Sequence, residues 1–342
     1  MMNQDAKSSF NSRSDVVAVI LTVAALVLVI ELHLLPALFA GLLVHVLVHL
    51  LAPRVFGLKN KPALARVVVV ALLTVIVLAL AAILIGGSIA FFHSNGGRFS
   101  VLLQKMAEII DGARATMPVW VQDWLPVDSS ELKDETVSWL REHAAEVKTA
   151  GSEVGRALAY ALIGMVIGAL VAVREVGSAR VAGPLAQAMT RCVTLLANAF
   201  RSVVFAQVRI SALNTVLTAV YLQLILPAMD IHLPLKKTMI ALTFVAGLLP
   251  IIGNLISNSV VVIISLSHSL PVALGSLAFL MVIHKLEYFI NARIVGSQIN
   301  AAAWELLLAM IVMEAAFGLP GVIAAPVFYA YAKAELVARK LV

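Results

Sequence analysis

Between Lys237 and Lys285 the chain has no Asp, Glu, Lys or Arg, and between Arg66 and Arg98 it has none either. The longer run, Thr238 to His284, would extend roughly 70 Å as a single helix. That is about twice the ~30 Å hydrocarbon core of a bilayer, so the run must turn back at least once. No soluble core can hide such a run. Of the 342 residues, 61% are hydrophobic and 13% charged, against about 45–50% and about 25% in ordinary soluble domains. The sequence therefore predicts an all-α polytopic membrane protein and excludes a soluble globular one.

Apolar runs predict about eight transmembrane or re-entrant helices: Val16 to Leu35, Pro36 to Ala52, Val67 to Phe92, Val154 to Val173, Ile210 to Met229, Thr238 to Ser267, Pro271 to Asn291 and Trp304 to Ala332. Pro36 ends one helix and starts the next, which predicts a tight hairpin between the first two spans. Residues 1–15 read as a tail, 16–92 as spans one to three, 93–153 as an external insert and 154–173 as span four. Residues 174–209 read as a cytoplasmic amphipathic region, 210–332 as spans five to eight, and 333–342 as a second tail. The first span is too long, and too soon followed by another, for a cleaved signal peptide.

Basic residues in connecting segments stay cytoplasmic. Lys7, Arg13, Arg54, Lys59, Lys61, Arg66, Arg174, Arg180 and the chain-terminal Lys333, Arg339 and Lys340 all fall on one side of an eight-crossing chain. Both termini are thus expected in the cytoplasm. Lys236 and Lys237 fall on the wrong side, unless spans five and six are re-entrant. The insert His93 to Glu153 holds ten acids against six bases. It reads as a small helical hairpin facing outward, with Trp120 and Trp124 at the interface. The net charge of +6 orients the chain and implies no nucleic-acid partner.

At about 100° per residue, Gln187, Arg191, Thr194, Asn198 and Arg201 share an arc of roughly 80°. They predict a basic amphipathic helix over Pro184 to Arg209 in the cytoplasmic interface, either parked on headgroups or gating an entrance with Arg191, Arg201 and Arg209. In span six, Gly247 to Asn254 puts Pro250 and Gly253 inside an apolar run, where proline removes a backbone hydrogen bond. Such breaks are tolerated where they line a cavity or are buried in protein. Asn254 and Asn258 accompany this break. Asn214, Thr218 and Tyr221 form a matching stripe with Ser211 in span five, and these groups belong against a neighbouring helix or water.

Span seven ends with His284, Glu287 and Asn291 on one face. They could form a proton relay or an ion pair that holds helices together. Glu314 is the most deeply placed acid of span eight, followed by Gly318 and Gly321, which permit close helix approach or another break. His45 and His49, four residues apart, would need a third ligand for a metal site, for which Glu31 or His33 are the only near candidates, and they read as packing residues. The single cysteine, Cys192, excludes an internal disulfide. No P-loop, Gly-x-Ser-x-Gly or Rossmann fingerprint occurs, so neither an enzyme nor a cofactor is expected.

Three stretches carry a resemblance: Pro250-Ile251-Ile252-Gly253; Glu287 with Asn291 to Gly296; and Phe317-Gly318-Leu319-Pro320-Gly321 running to Pro326. In these and in its layout the chain resembles the autoinducer-2 exporter family of permease-like proteins. The resemblance implies an inner-membrane secondary transporter of bacteria that exports a small polar metabolite or signal. Some members are described instead as sodium or lithium/proton antiporters. It also implies a homo-oligomer, with five subunits one number it allows. Ile251, Asn254, Ala292 and Glu314 depart from the family pattern around the expected pathway, so substrate identity does not carry over. On this reading Pro250, Gly253, Asn254, Asn258, Gly318 and Gly321 line the path with the span-five stripe, and Glu287 or Glu314 couples to protons. A membrane scaffold without a transported solute is the alternative from another class.

Overall fold

The computed structural model describes residues 13–55, 61–94, 138, 142–174, 183–248, 252–266, 268–269, 271–283, 285 and 302–341. All regular structure among them is helical. The elements are α1 (Arg13–Glu31), α2 (Leu35–Leu51), α3 (Pro62–Ser94), α4 (Ala144–Arg174), α5 (Pro184–Val220), α6 (Lys236–Gly247), α7 (Ile252–Leu266), α8 (Pro271–Ile283) and α9 (Ala303–Ala338). They divide into two compact units, one drawn from Met1–Val77, Glu153–Phe205 and Val295–Val342, the other from Leu78–Ser152 and Ala206–Ile294.

The apolar side chains are arranged as in a protein solvated by lipid. In α1, Asp15, Ala18, Thr22, Leu26 and Ile30 are buried at helical spacing, while Val16, Val17, Ile20, Leu21 and Val23 are exposed. In α4, Leu158, Leu162, Val166 and Leu170 are all exposed. Water would penalise such surfaces, and a hydrocarbon core does not. By length and composition alone, with α9 counted whole, five helices among the described residues are long and apolar enough to cross a membrane. The chain is a multi-pass membrane protein.

In the first unit α1 ends in a tight reversal. Leu34 N–H donates to Val29 O and His33 N–H to Ile30 O, with His33 left-handed at φ 57°. This is a glycine-free version of the usual helix stop, and Pro36 then sits in the first turn of α2. Helices α2 and α4 touch backbone to backbone. A Cβ on Gly164 would fall 2.0 Å from Ala37 O, and one on Gly168 2.2 Å from Gly41 O. Gly164-x-x-x-Gly168 is the small-residue spacing that lets membrane helices approach this closely. A core of Leu26, Leu42, Val46, Leu196, Phe200, Val327 and Tyr331 joins α1, α2, α5 and α9.

Helix α9 is a hairpin and not one crossing. Gly318, at φ 63° and ψ −147°, interrupts the helix, and a Cβ on Gly321 would fall 2.0 Å from Met313 O. The arms 303–317 and 319–338 therefore fold back on one another. Arg339 Nη2 donates to Asp15 O at 3.1 Å, while Ala324 clusters with Ile30 near the other end of α1. The second arm thus runs antiparallel to α1. Met313 and Phe317 pack in the same cluster as Ile30 and Leu35, so the tip lies by the α1–α2 turn. The run Trp304 to Ala332, expected as one crossing or re-entrant element with a break allowed at Gly318 and Gly321, is thus two arms. Glycine permits a backbone conformation there that a side chain resists, and Pro320 cannot continue the first arm.

The helix expected over Pro184 to Arg209 is part of a longer one. Helix α5 runs on through a π-turn, Tyr221–Ile225, to Ala228, a continuous stretch of 45 residues, or roughly 68 Å. Its first half is seated in the apolar core of the first unit, and the π-turn gives Pro227, which lacks an N–H, room beside the carbonyls before it. The expected span Thr238 to Ser267 is likewise two short helices. Helix α6 has 12 residues and α7 has 15, roughly 18 and 22 Å, so neither crosses ~30 Å of hydrocarbon alone. They pack antiparallel, Met239 sharing a buried cluster with Val261 while Ala246 meets Gly253.

Candidate functional site

The second unit builds its polar centre where the α6–α7 hairpin meets α5. A helix leaves its last four carbonyls without partners in the helix itself, and in an apolar surround each needs another donor. Helix α5 supplies two. Ser211 Oγ donates to Phe244 O at 2.6 Å, and Gln207 Nε2 donates to Gly247 O at 2.7 Å. Both acceptors lie in the last turn of α6. The close approach depends on glycine at two points. A Cβ on Gly247 would stand 2.7 Å from Ser211 Oγ, and one on Gly253 would stand 1.9 Å from Ala246 O.

One turn on, Asn214 Nδ2 donates to Asn254 Oδ1 at 3.3 Å, joining α5 to the start of α7. Asn214 and Thr218 are buried. Asn258, one turn beyond Asn254, is half-buried. Tyr221 then begins a chain of hydroxyls, its Oη 2.8 Å from Ser276 Oγ, which is 2.7 Å from Ser265 Oγ. All three are buried, and Phe279 stacks on the Tyr221 ring at 3.9 Å. Amides, hydroxyls and helix-end carbonyls thus gather with no charged side chain in these bonds. Such a set can exchange hydrogen bonds with a polar solute or present carbonyl oxygens to a cation, without the desolvation cost of a buried charge.

The structure brings Asn214, Tyr221, Gly253 and Asn254 into this centre, with Thr218 and Asn258 flanking it. Pro250, His284, Glu287 and Asn291 lie outside the described residues. Gly318 and Gly321 belong to the first unit, where they fold α9 back on itself. Glu314 is exposed near that hairpin's tip. Of the three arginines, Arg191 pairs with Asp15 at 3.0 Å. Arg201 is exposed, its guanidinium 5.7 Å from the Phe205 ring centroid, and Arg209 is exposed in the second unit. The His45 and His49 rings meet at a 40° tilt, centroids 4.2 Å apart, and the His49 Nδ1–H donates to His45 O when that nitrogen carries the proton, at 2.8 Å. Among the described residues no three metal-binding side chains gather.

Gln207 and Ser276 were not legible as part of a site, although Gln207 extends the Ser211 stripe by one turn. Also unforeseen were two polar ties of the first unit. Glu305 accepts from Lys333 Nζ at 2.6 Å and from Tyr329 Oη, closing the base of the α9 hairpin. Arg339 bonds both Asp15 O and Glu335 Oε1, fastening the last helix to the first. The only sequence sign of the first tie is the Gly-Leu-Pro-Gly turn midway between its partners.

No protein-family model matches the chain, and no curated protein or solved structure matches it either.

Proposed function

We propose that this chain is a secondary transporter of the bacterial inner membrane, similar to the autoinducer-2 exporters, that moves a small polar metabolite or signal outward. The observation that carries the reading is the α6–α7 hairpin. Two helices too short to cross meet at a glycine-dependent tip, and the helix-end carbonyls there are held by Gln207 and Ser211. Broken helices of this kind are tolerated at membrane depth where they line a cavity or are buried in protein, and transporters use them to build solute sites. Re-entrant hairpins at α6–α7 and α9 also fit an arrangement with both termini in the cytoplasm, because a hairpin leaves the parity of the remaining crossings unchanged. Protons enter through Glu287 or Glu314, and the working form is a homo-oligomer.

The test compares metabolites inside and outside cells with and without the protein, followed by uptake of the accumulating solute into inverted vesicles. Glu287→Gln and Glu314→Gln are expected to abolish uptake driven by a pH gradient. Asn254→Ala is expected to weaken it by raising KM. Wild-type rates in all three remove the assignment. A sodium or lithium/proton antiporter is the second reading, favoured by the helix-end carbonyls of Phe244 and Gly247. Alkalinisation of acid-loaded vesicles on adding sodium would select it. A scaffold role would follow if neutralising every intramembrane charge left the cellular phenotype intact.

A further inference from the structure

The first half of α5 carries its polar residues on the side that the fold leaves open. Ala188, Cys192, Leu196, Ala199 and Phe200 are buried, whereas Gln187, Thr194, Asn198 and Arg201 are exposed. The depth of this face is fixed by its neighbours. Phe200 packs in the cluster of Leu26, Leu42, Val46 and Val327 and meets the Phe39 ring at 5.3 Å between centroids. Asn198 and Arg201 therefore emerge from the helix at the level of α1 and α2, both long and apolar enough to cross a membrane.

Lipid is a poor neighbour for that face. An arginine at the bilayer centre costs about 2.5–3.5 kcal/mol even on the mildest scale. Thr194 spares itself by donating to Thr190 O at 2.8 Å, but an asparagine amide and a guanidinium need partners beyond their own helix turn. From Pro184 to Ala228 the chain contains no Asp or Glu, and among the described residues no carboxylate pairs with Arg201. Phe205 lies under the guanidinium, its ring centroid 5.7 Å from Cζ, a cation–π contact that leaves the N–H groups without a carboxylate. The face is thus polar and positive, without a counter-charge on its own helix.

We propose that Asn198 and Arg201 line a water-filled passage that admits small anions, solutes bearing a carboxylate or a phosphate. This rests on the transport reading above and gives its substrate a charge. Arg201 supplies the attracting field and the bidentate donor that such groups accept, and Asn198, just under one turn away, supplies an adjustable neutral donor. A passage of this sign repels sodium, so it also separates the exporter reading from the antiporter one.

The test uses the full chain in proteoliposomes and two water-soluble thiol reagents of opposite charge, the anionic sulfonatoethyl and the cationic trimethylammonioethyl methanethiosulfonates. Cys192 is buried and provides the background rate in the unsubstituted chain. Thr194→Cys and Asn198→Cys should react well above that background, and faster with the anionic reagent than the cationic one. Leu162→Cys and Val166→Cys on the exposed apolar face of α4 should not react. Adding Arg201→Gln to either reporter should lower the anionic-to-cationic rate ratio by about tenfold, the product of roughly threefold effects on each reagent, and Arg201→Lys should keep most of it. Reporters that stay unreactive would place the face against lipid or another subunit and overturn the proposal, as would a ratio indifferent to Arg201. Reading two positions guards against one variant that fails to fold. The readout needs no transported substrate, so a null metabolite assay with a charge-dependent ratio would remove the exporter assignment and leave the passage standing.

Discussion

Glu305 and Lys333 stand 28 positions apart in the chain and 2.6 Å apart in space. An ion pair at that separation is only reachable if the helix between them doubles back, which it does at Gly318. Both partners are about four-fifths buried, at 21% and 18% side-chain exposure, and Tyr329 adds a second donor to the same carboxylate. The pair closes the open end of a hairpin whose tip packs by the α1–α2 turn.

Lys333→Met and Glu305→Gln should each lower the melting temperature of the detergent-solubilised protein. The double variant should lose less than the two single losses together, since either change alone breaks the same contact. Strict additivity in that cycle would mean that the two groups do not act as a pair.

Gly318 isolates backbone strain from crowding. A Cβ placed there meets nothing within 4 Å, yet φ is 63° with ψ at −147°, a region that side chains avoid. Gly318→Ala should therefore destabilise the protein by about 1–3 kcal/mol for backbone reasons alone. The measurement is equilibrium unfolding in mixed micelles. An unchanged midpoint would show that the reversal does not depend on glycine.

The helical class and the multi-pass character were legible because apolar run length reports directly on bilayer thickness. Run length alone does not distinguish a rod from a hairpin. Thr238 to Ser267 and Trp304 to Ala332 are each one apolar run, open to crossing or to re-entry, and each folds back beside a Gly/Pro cluster that local composition marks only as a break. Helix α5 extends well beyond its polar stripe. The polar stripe from Gln187 to Arg201 suggested a surface helix, because the opposite face looks the same whether it is covered by headgroups or by α1, α2 and α9. The span-five stripe led to the site since buried hydroxyls and amides need partners. Its partners, the carbonyls of Phe244 and Gly247, belong to the backbone and leave no trace in residue type.

The Ser211 hydroxyl holds the Phe244 carbonyl at the end of α6, whereas the Thr215 hydroxyl, one turn later, donates to its own helix at Ser211 O, at 2.7 Å. Ser211→Ala strands a helix-end carbonyl in an apolar surround and should cost about 1–3 kcal/mol. Thr215→Val removes a bond that the helix does not need and should be close to neutral. Equal losses would mean that the α5–α6 contact rests on packing and not on this hydrogen bond. Gln207→Ala tests the second carbonyl by the same comparison.

Gly253 and Gly275 lie in neighbouring helices of one unit and should respond to alanine with opposite signs. At Gly253 the new methyl would meet the Ala246 carbonyl at 1.9 Å, an oxygen of the backbone that no rotamer change can move aside. Helix α7 would have to shift away from α6, stretching the 3.3 Å bond between Asn214 and Asn254. Overpacking of this kind costs about 1–3 kcal/mol, and because it displaces Asn254 it should also raise KM for any solute held there. At Gly275 nothing stands within 4 Å of the added carbon, and Gly275→Ala should stabilise the helix by about 0.4–1 kcal/mol through the lost freedom of the unfolded chain. Unfolding midpoints of the two variants, read beside uptake kinetics, check both signs. A Gly253→Ala protein as stable and as active as wild type would mean that the α6–α7 tip is not tightly packed, and the site assigned to it would then have no fixed geometry.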